Sequence, residues 1–121
     1  MKYIINTDNS KDNITSVYIM EERGISFCML SYYEREKHIM SFSNLDVSNN
    51  FRNMGYGDDL LNFAIEYAKN HGCEYLYLFT IDKDSWITKW YKRHGFIAYK
   101  EENTECYLYL KINNYVQSKE R

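Results

Sequence analysis

The sequence predicts a single mixed α+β domain: an antiparallel meander, a parallel strand–helix–strand unit, a short helix and a closing antiparallel pair. Three observations carry this prediction. Residues 14–47 hold three β-favouring runs separated by short turns. Leu60, Leu61, Ala64, Ile65 and Ala68 fall on one stripe of helical period. Tyr75 to Ile81 follows, apolar at successive positions, which predicts a central strand covered on both faces. Two strands bridged by a helix are expected to run parallel.

Taken in order, residues 1–5 suit a short first strand, and Asn6 to Asn13 carry the composition of a polar loop. Ile14 to Met20 and Ile25 to Tyr33 read as strands around a Glu21–Gly24 hairpin turn. A charged turn, Glu34–Lys37, leads into a third strand, His38 to Val47. The main helix spans about Asp58 to His71, with Asp58 and Asp59 favouring its positive start and Gly72 ending it. A second, short helix is capped by Asp84 or Ser85 and ended by Gly95, which puts His94 at its C-terminus. Phe96 to Lys100 and Cys106 to Ile112 form the last pair, and Asn113 to Arg121 is a polar, frayed tail.

Composition narrows the function. The 121 residues build one core, so a single domain is expected over residues 1–121. A net charge of −2 with scattered lysines and arginines offers no basic stripe for nucleic acid. No apolar run is long enough to cross a membrane, and the N-terminus turns polar at Asn6, unlike a signal peptide, so a cytoplasmic location is expected. Cys28, Cys73 and Cys106 have no metal-ligand spacing and suit reduced thiols, so no metal is expected. Thirteen tyrosines and no proline favour a sheet-rich domain, with dimerisation through an exposed strand an open expectation.

The chemistry-bearing stretch runs from Leu45 to Phe96. An apolar strand ends at Val47, and a polar turn with Gly55 and Gly57 leads into the main helix. Glycines there permit positive φ and close backbone approach, and unpaired N–H groups at a helix start suit a phosphate. Leu45-x-Val47, Arg52-x-x-Gly55-x-Gly57, Leu60-Leu61 and Tyr91-x-x-x-Gly95-Phe96, in this order, resemble the GNAT superfamily of acetyl-CoA-dependent N-acetyltransferases over about Tyr18 to Ile112. The front departs from that pattern: family members usually place two helices between the first and second strands, where this chain has about eight polar residues. An unusually open acceptor side is expected.

The resemblance implies acetyl transfer from acetyl-CoA to a primary amine, on a protein or a small molecule. It places the pyrophosphate against backbone N–H groups of Asn53, Met54, Gly55, Tyr56, Gly57 and Asp58. Arg52 would pair with a phosphate or brace the loop. Leu45 and Val47 would offer backbone groups to the pantetheine arm, and one N–H near Leu45 would polarise the thioester carbonyl. Tyr91 would act as general acid to the leaving thiolate, or else pack under the sheet. Asp58 caps the helix but competes with phosphate for the same amides. No strong base occupies Ser41–Asn44, which leaves Asp46, Glu34, Glu36, His38 or water. A scaffold that binds acyl-CoA or a protein partner without turnover is the alternative.

Overall fold

The computed structural model describes residues 2–115. Its elements are β1 (Tyr3–Lys11), β2 (Ile14–Glu21), β3 (Ser26–Tyr33), β4 (Ile39–Val47), α1 (Tyr56–Asn70), β5 (Tyr75–Thr80), α2 (Trp86–Arg93), β6 (Ile97–Glu102) and β7 (Glu105–Lys111). They form one seven-stranded sheet in the order β1-β2-β3-β4-β5-β7-β6. Only the β4–β5 pair is parallel; every other neighbour is antiparallel. This is the expected α+β architecture, with β7 inserted between β5 and β6.

Both helices pack on one face. Leu60, Leu61, Ala64, Ile65 and Ala68 of α1 meet Val17, Ile19, Cys28, Leu30, Met40, Phe42, Leu76 and Leu108 in one core. The helical stripe seen in the sequence is therefore the buried face of α1. Ser85 caps α2 by accepting a hydrogen bond from the Thr88 amide. The buried Thr88 hydroxyl lies 2.7 Å from both Thr80 Oγ1 and the Asp82 carbonyl oxygen. Having one proton, it can donate to the carbonyl while accepting from Thr80. That knot ties α2 to the end of β5.

Four expectations are corrected. Asn6 to Asn13 is no loop: β1 runs through it to Lys11, and Asp12 and Asn13, at φ 52° and 63°, make the whole turn. Asparagine and aspartate tolerate that left-handed backbone, so polar residues mark the hairpin while the rest of the stretch is pulled into β1 by pairing with β2. Helix α1 begins at Tyr56, two residues before Asp58, because Gly55 at φ 86° turns the chain immediately ahead of it. The tail is ordered further than expected: Ile112–Asn114 form a 3₁₀ turn, Tyr115 packs against the core, and its hydroxyl donates to Asn62 Oδ1. Residues 116–121 lie outside the described residues.

The fourth correction concerns β5. Leu76, Leu78 and Thr80 are buried under the helices, but Tyr75 and Tyr77 are half-buried and Phe79 is 57% exposed on the opposite face. The reading of a strand covered on both faces fails because no described helix lies on that side. Tyrosines tolerate this position, since a phenol packs its ring while its hydroxyl stays wet.

Candidate functional site

Strands β4 and β5 part company within the sheet. Their pairing runs from Ile39↔Tyr75 to Ser41↔Tyr77 and stops there, although β4 continues to Val47. Against β3, the register jumps from Met29↔Ser43 to Phe27↔Asp46, leaving two residues, Asn44 and Leu45, opposite Cys28. Asn44 takes φ 59° to make this bulge. Neither neighbouring register pairs Leu45, so its backbone stands at the mouth of the splay.

On the helix side of that opening lies a cavity of about 1030 Å³. Its walls come from three places: Leu45, Asp46 and Val47 of β4; Phe51 to Gly55 with Gly57 and Asp58; and Trp86, Ile87, Trp90 and Arg93 of α2. The first α1 ladder bond runs from the Asp59 N–H to the Gly55 carbonyl at 3.0 Å, and the N-cap residue, Gly55, has no side chain to cap the helix. The amides of the first turn therefore are not consumed by the helix itself, which suits an anion.

Gly57 is helical rather than at positive φ. A Cβ there would stand 3.6 Å from the Trp90 ring and 3.8 Å from a Val47 methyl. Alanine would fit, but a longer chain would project into the space between those two side chains. Gly57 thus serves close approach, whereas Gly55 serves backbone conformation.

Sequence-derived residues divide into two groups. Leu45, Val47, Arg52, Asn53, Met54, Gly55, Gly57 and Asp58 all line the cavity. Tyr56 does not: its ring packs edge-on against Phe51 and lies 6.0 Å from the Arg23 guanidinium. Tyr91 is also absent from the walls. It is 6% exposed and wedged among Phe42, Trp90 and Phe96. Burial, with a smaller contribution from the Cys28 thiol, pushes its phenol above the ordinary tyrosine value. Tyr91 therefore stays protonated at any physiological pH.

The charges at the loop are largely paired within the protein. Arg52 donates from Nε to the Val47 carbonyl at 2.8 Å and approaches Asp46 Oδ1 at 3.5 Å. These contacts tie the loop to the end of β4. Asp58 Oδ1 lies 2.5 Å from His94 Nε2, both side chains being largely out of water. His94 Nδ1 faces the Trp90 carbonyl oxygen at 2.8 Å. The Asp58 side chain is thus engaged by α2.

Sequence reasoning missed the α2 wall. Trp86, Ile87, Trp90 and Arg93 stand at i, i+1, i+4 and i+7, one helical stripe that the sequence displays. Among the described residues Arg93 makes no ion pair. Of the carboxylates and histidine weighed as a base, only Asp46 lines the cavity. Glu34, Glu36 and His38 precede Ile39, at the opposite end of β4 from the cavity. All three cysteines are buried, with burial raising Cys28 to about 12 and Cys73 to about 11, which leaves them poor nucleophiles. Among the described residues no group of three or more His, Cys, Asp or Glu could hold a metal, and no helix is long and apolar enough to cross a membrane.

Comparison with known proteins agrees with this architecture. The spermidine/spermine N-acetyltransferase SpeG from Vibrio cholerae, solved in mutant forms, superposes with a TM-score of 0.67 at 13% identity, covering 88% of this chain and 71% of that one. PaiA N-acetyltransferase from Thermoplasma acidophilum, solved with coenzyme A, gives 0.68 at 17% identity over 82% of this chain and 61% of that one. A GNAT-family acetyltransferase from Staphylococcus aureus gives 0.65 at 18% identity, covering 83% and 68%. At these identities the likeness speaks for the fold. A search of curated proteins finds no match. The sequence matches the Acetyltransferase (GNAT) family over residues 4–96, more than half of its length, and the chain belongs to that family.

Proposed function

We propose that the protein is an N-acetyltransferase that moves an acetyl group from acetyl-CoA to a primary amine by direct attack in a ternary complex. The observation that carries this reading is the cavity where β4 leaves β5, walled by the start of α1 and by α2. Its parts fit the donor: amides of a helix start for the pyrophosphate, Arg93 for a phosphate, and Leu45, Val47, Ile87 and Trp90 for the apolar arm. Acetyl-CoA supplies a thioester, whose C–S bond breaks as the amine nitrogen bonds to the acetyl carbon. The Leu45 N–H polarises the carbonyl oxygen. Tyr91 lies behind the wall, its ring against Trp90, and is the phenol proposed to supply the proton taken by the departing sulfur, which requires that its hydroxyl be reached past that wall. Asp46 or water receives the amine proton. The relatives act on spermidine/spermine in one case, and a protein lysine, an N-terminus or a small amine are all acceptors of the right chemistry here.

Isothermal titration with acetyl-CoA tests this reading, with Gly55→Glu alongside. We expect micromolar binding, reduced at least ~100-fold in the variant, since a side chain at φ 86° is strained and its carboxylate repels phosphate. No binding by the folded wild-type protein would remove the reading. A non-catalytic acyl-CoA scaffold is the second reading, favoured by the burial of Tyr91 away from the cavity walls. Tyr91→Phe separates the two. An enzyme loses about 10²-fold or more in kcat with acetyl-CoA affinity kept; a scaffold shows no turnover to lose.

A further inference from the structure

The β2–β3 turn contributes no residue to the cavity walls, yet a closed circuit of contacts joins it to the loop that does. The hub is Glu21, 1% exposed at the end of β2. One carboxylate oxygen accepts from the Arg23 and Ile25 amides at 2.9 and 3.3 Å, and the other accepts from Arg23 Nε at 2.8 Å. Two branches leave this hub. Along the backbone, the Ile25 carbonyl accepts from the Ser48 amide at 2.8 Å, and the Ser48 carbonyl accepts from the Phe51 amide at 2.8 Å. Through side chains, the Arg23 guanidinium stands over the Tyr56 ring, 6.0 Å from its centroid, and that ring packs edge-on against Phe51 at 5.8 Å. Both branches meet at Phe51, which lines the cavity.

The turn itself does not need this carboxylate. Gly24 at φ 80° and the bond from its amide to the Glu21 carbonyl, at 2.7 Å, already close the hairpin. A buried carboxylate is costly unless it is paired and hydrogen-bonded. What Glu21 adds is direction. With Nε held by Glu21, the planar guanidinium turns its remaining nitrogens away from the turn, toward the first residue of α1. We infer that Arg23 is a positioning residue, which acts through Tyr56 to fix the start of α1 and the Phe51–Gly55 loop in the shape that presents their amides to the phosphates of acyl-CoA. Arg52 ties the same loop to β4 from the other side. A loop ordered beforehand loses less entropy when the ligand arrives. The circuit also accounts for Tyr56, which sits inside the glycine motif but outside the cavity: its ring is the anchor for Arg23. This inference rests on the reading of the cavity as an acyl-CoA site.

Amide hydrogen exchange without ligand, together with calorimetric titration of acetyl-CoA, tests it in Arg23→Ala, Tyr56→Ala and the double variant. In each single variant, exchange over residues 51–58 is expected to quicken while exchange in β5 and β7 stays unchanged, and acetyl-CoA to bind about fivefold more weakly. The double variant is expected to bind no more weakly than either single one, since both break the same link. Losses that multiply to roughly 25-fold would overturn the inference, because the two residues would then act separately. Unchanged exchange in Arg23→Ala, or quickening throughout the sheet, would overturn it too. Should Arg23→Ala fail to fold, Arg23→Lys decides. A single ammonium can partner Glu21 but cannot span to Tyr56, so the same loop-confined quickening is expected, and its absence overturns the inference. A folded wild-type protein that binds no acetyl-CoA removes the acyl-CoA reading and this inference with it. Binding by the wild-type protein with a loop indifferent to Arg23 removes this inference alone.

Discussion

The two walls of the cavity, the Arg52–Asp58 loop and the exposed stripe of α2, reach the same space by different means. The loop is shaped by backbone. Asn53 and Gly55 take positive φ, Gly57 removes a side chain, and Arg52 is spent on bracing the Val47 carbonyl. The α2 wall is shaped by side chains, with Trp86, Ile87 and Trp90 supplying surface and Arg93 supplying charge. The contrast separates two arginines that a motif would treat in the opposite order of importance. The one inside the motif is engaged by the protein, and the one outside it faces the cavity without an ion-pair partner among the described residues.

Loosening one wall while leaving the other intact should give the largest effect on stability. Thr88→Val keeps the shape of a fully buried side chain but removes the hydroxyl that joins Thr80 and the Asp82 carbonyl. We expect a loss of ~1–3 kcal/mol in denaturant unfolding, because a buried carbonyl and hydroxyl lose their partner. An unchanged midpoint would mean that α2 is held by its apolar contacts alone.

A direct comparison of the walls comes next. Arg93→Ala is expected to weaken acetyl-CoA binding about tenfold, ~1.4 kcal/mol, with the loss shrinking at high salt. Arg52→Ala is expected to cost less than about threefold, since its exposed pair with Asp46 contributes little. Titration of both variants at two ionic strengths reads the difference. The reverse order would return the phosphate role to Arg52.

The smallest effect lies at the β2–β3 turn, whose Arg23 also reaches Tyr56 beside the loop. Burial raises the Glu21 carboxyl, but hydrogen bonds from the Arg23 side chain and from the Arg23 and Ile25 amides outweigh it and hold it below the usual glutamate value. A lowered folded value means its stabilisation is present above the ordinary glutamate range and fades as pH falls through the folded value. Glu21→Gln should therefore be less stable at pH 7 and show a shallower acid decline. Parallel urea midpoints for the two proteins between pH 7 and pH 3 would discard this role.

Local chemistry was readable in the sequence, and packing partners were not. The glycines, the α1 stripe, the Ser85 cap and the Leu45–Val47 strand end rest on short-range rules, and each lies where those rules put it. Helix α2 shows the limit. Its stripe was visible, but which side turned to the core depended on Thr88 meeting Thr80, a contact across the fold. Tyr91 was singled out by its place before Gly95, yet burial beside Phe42 is a tertiary fact. The error at β5 has the same origin. An apolar strand reads identically whether its second face meets a helix or another surface.

The hairpin at Asp12 and Asn13 also bears on how the chain folds. It joins β1 to β2 with the shortest common connection, and the β2–β3 and β3–β4 links are nearly as brief. Closing such loops costs little chain entropy, and hairpins form within microseconds. The first four strands are thus a unit of low contact order that can assemble before α1 brings β5 alongside β4. Two helices inserted between β1 and β2 would make that pairing long-range. By dispensing with them, the chain gains a fast-closing N-terminal half on which the slower, non-local half of the sheet can be laid down.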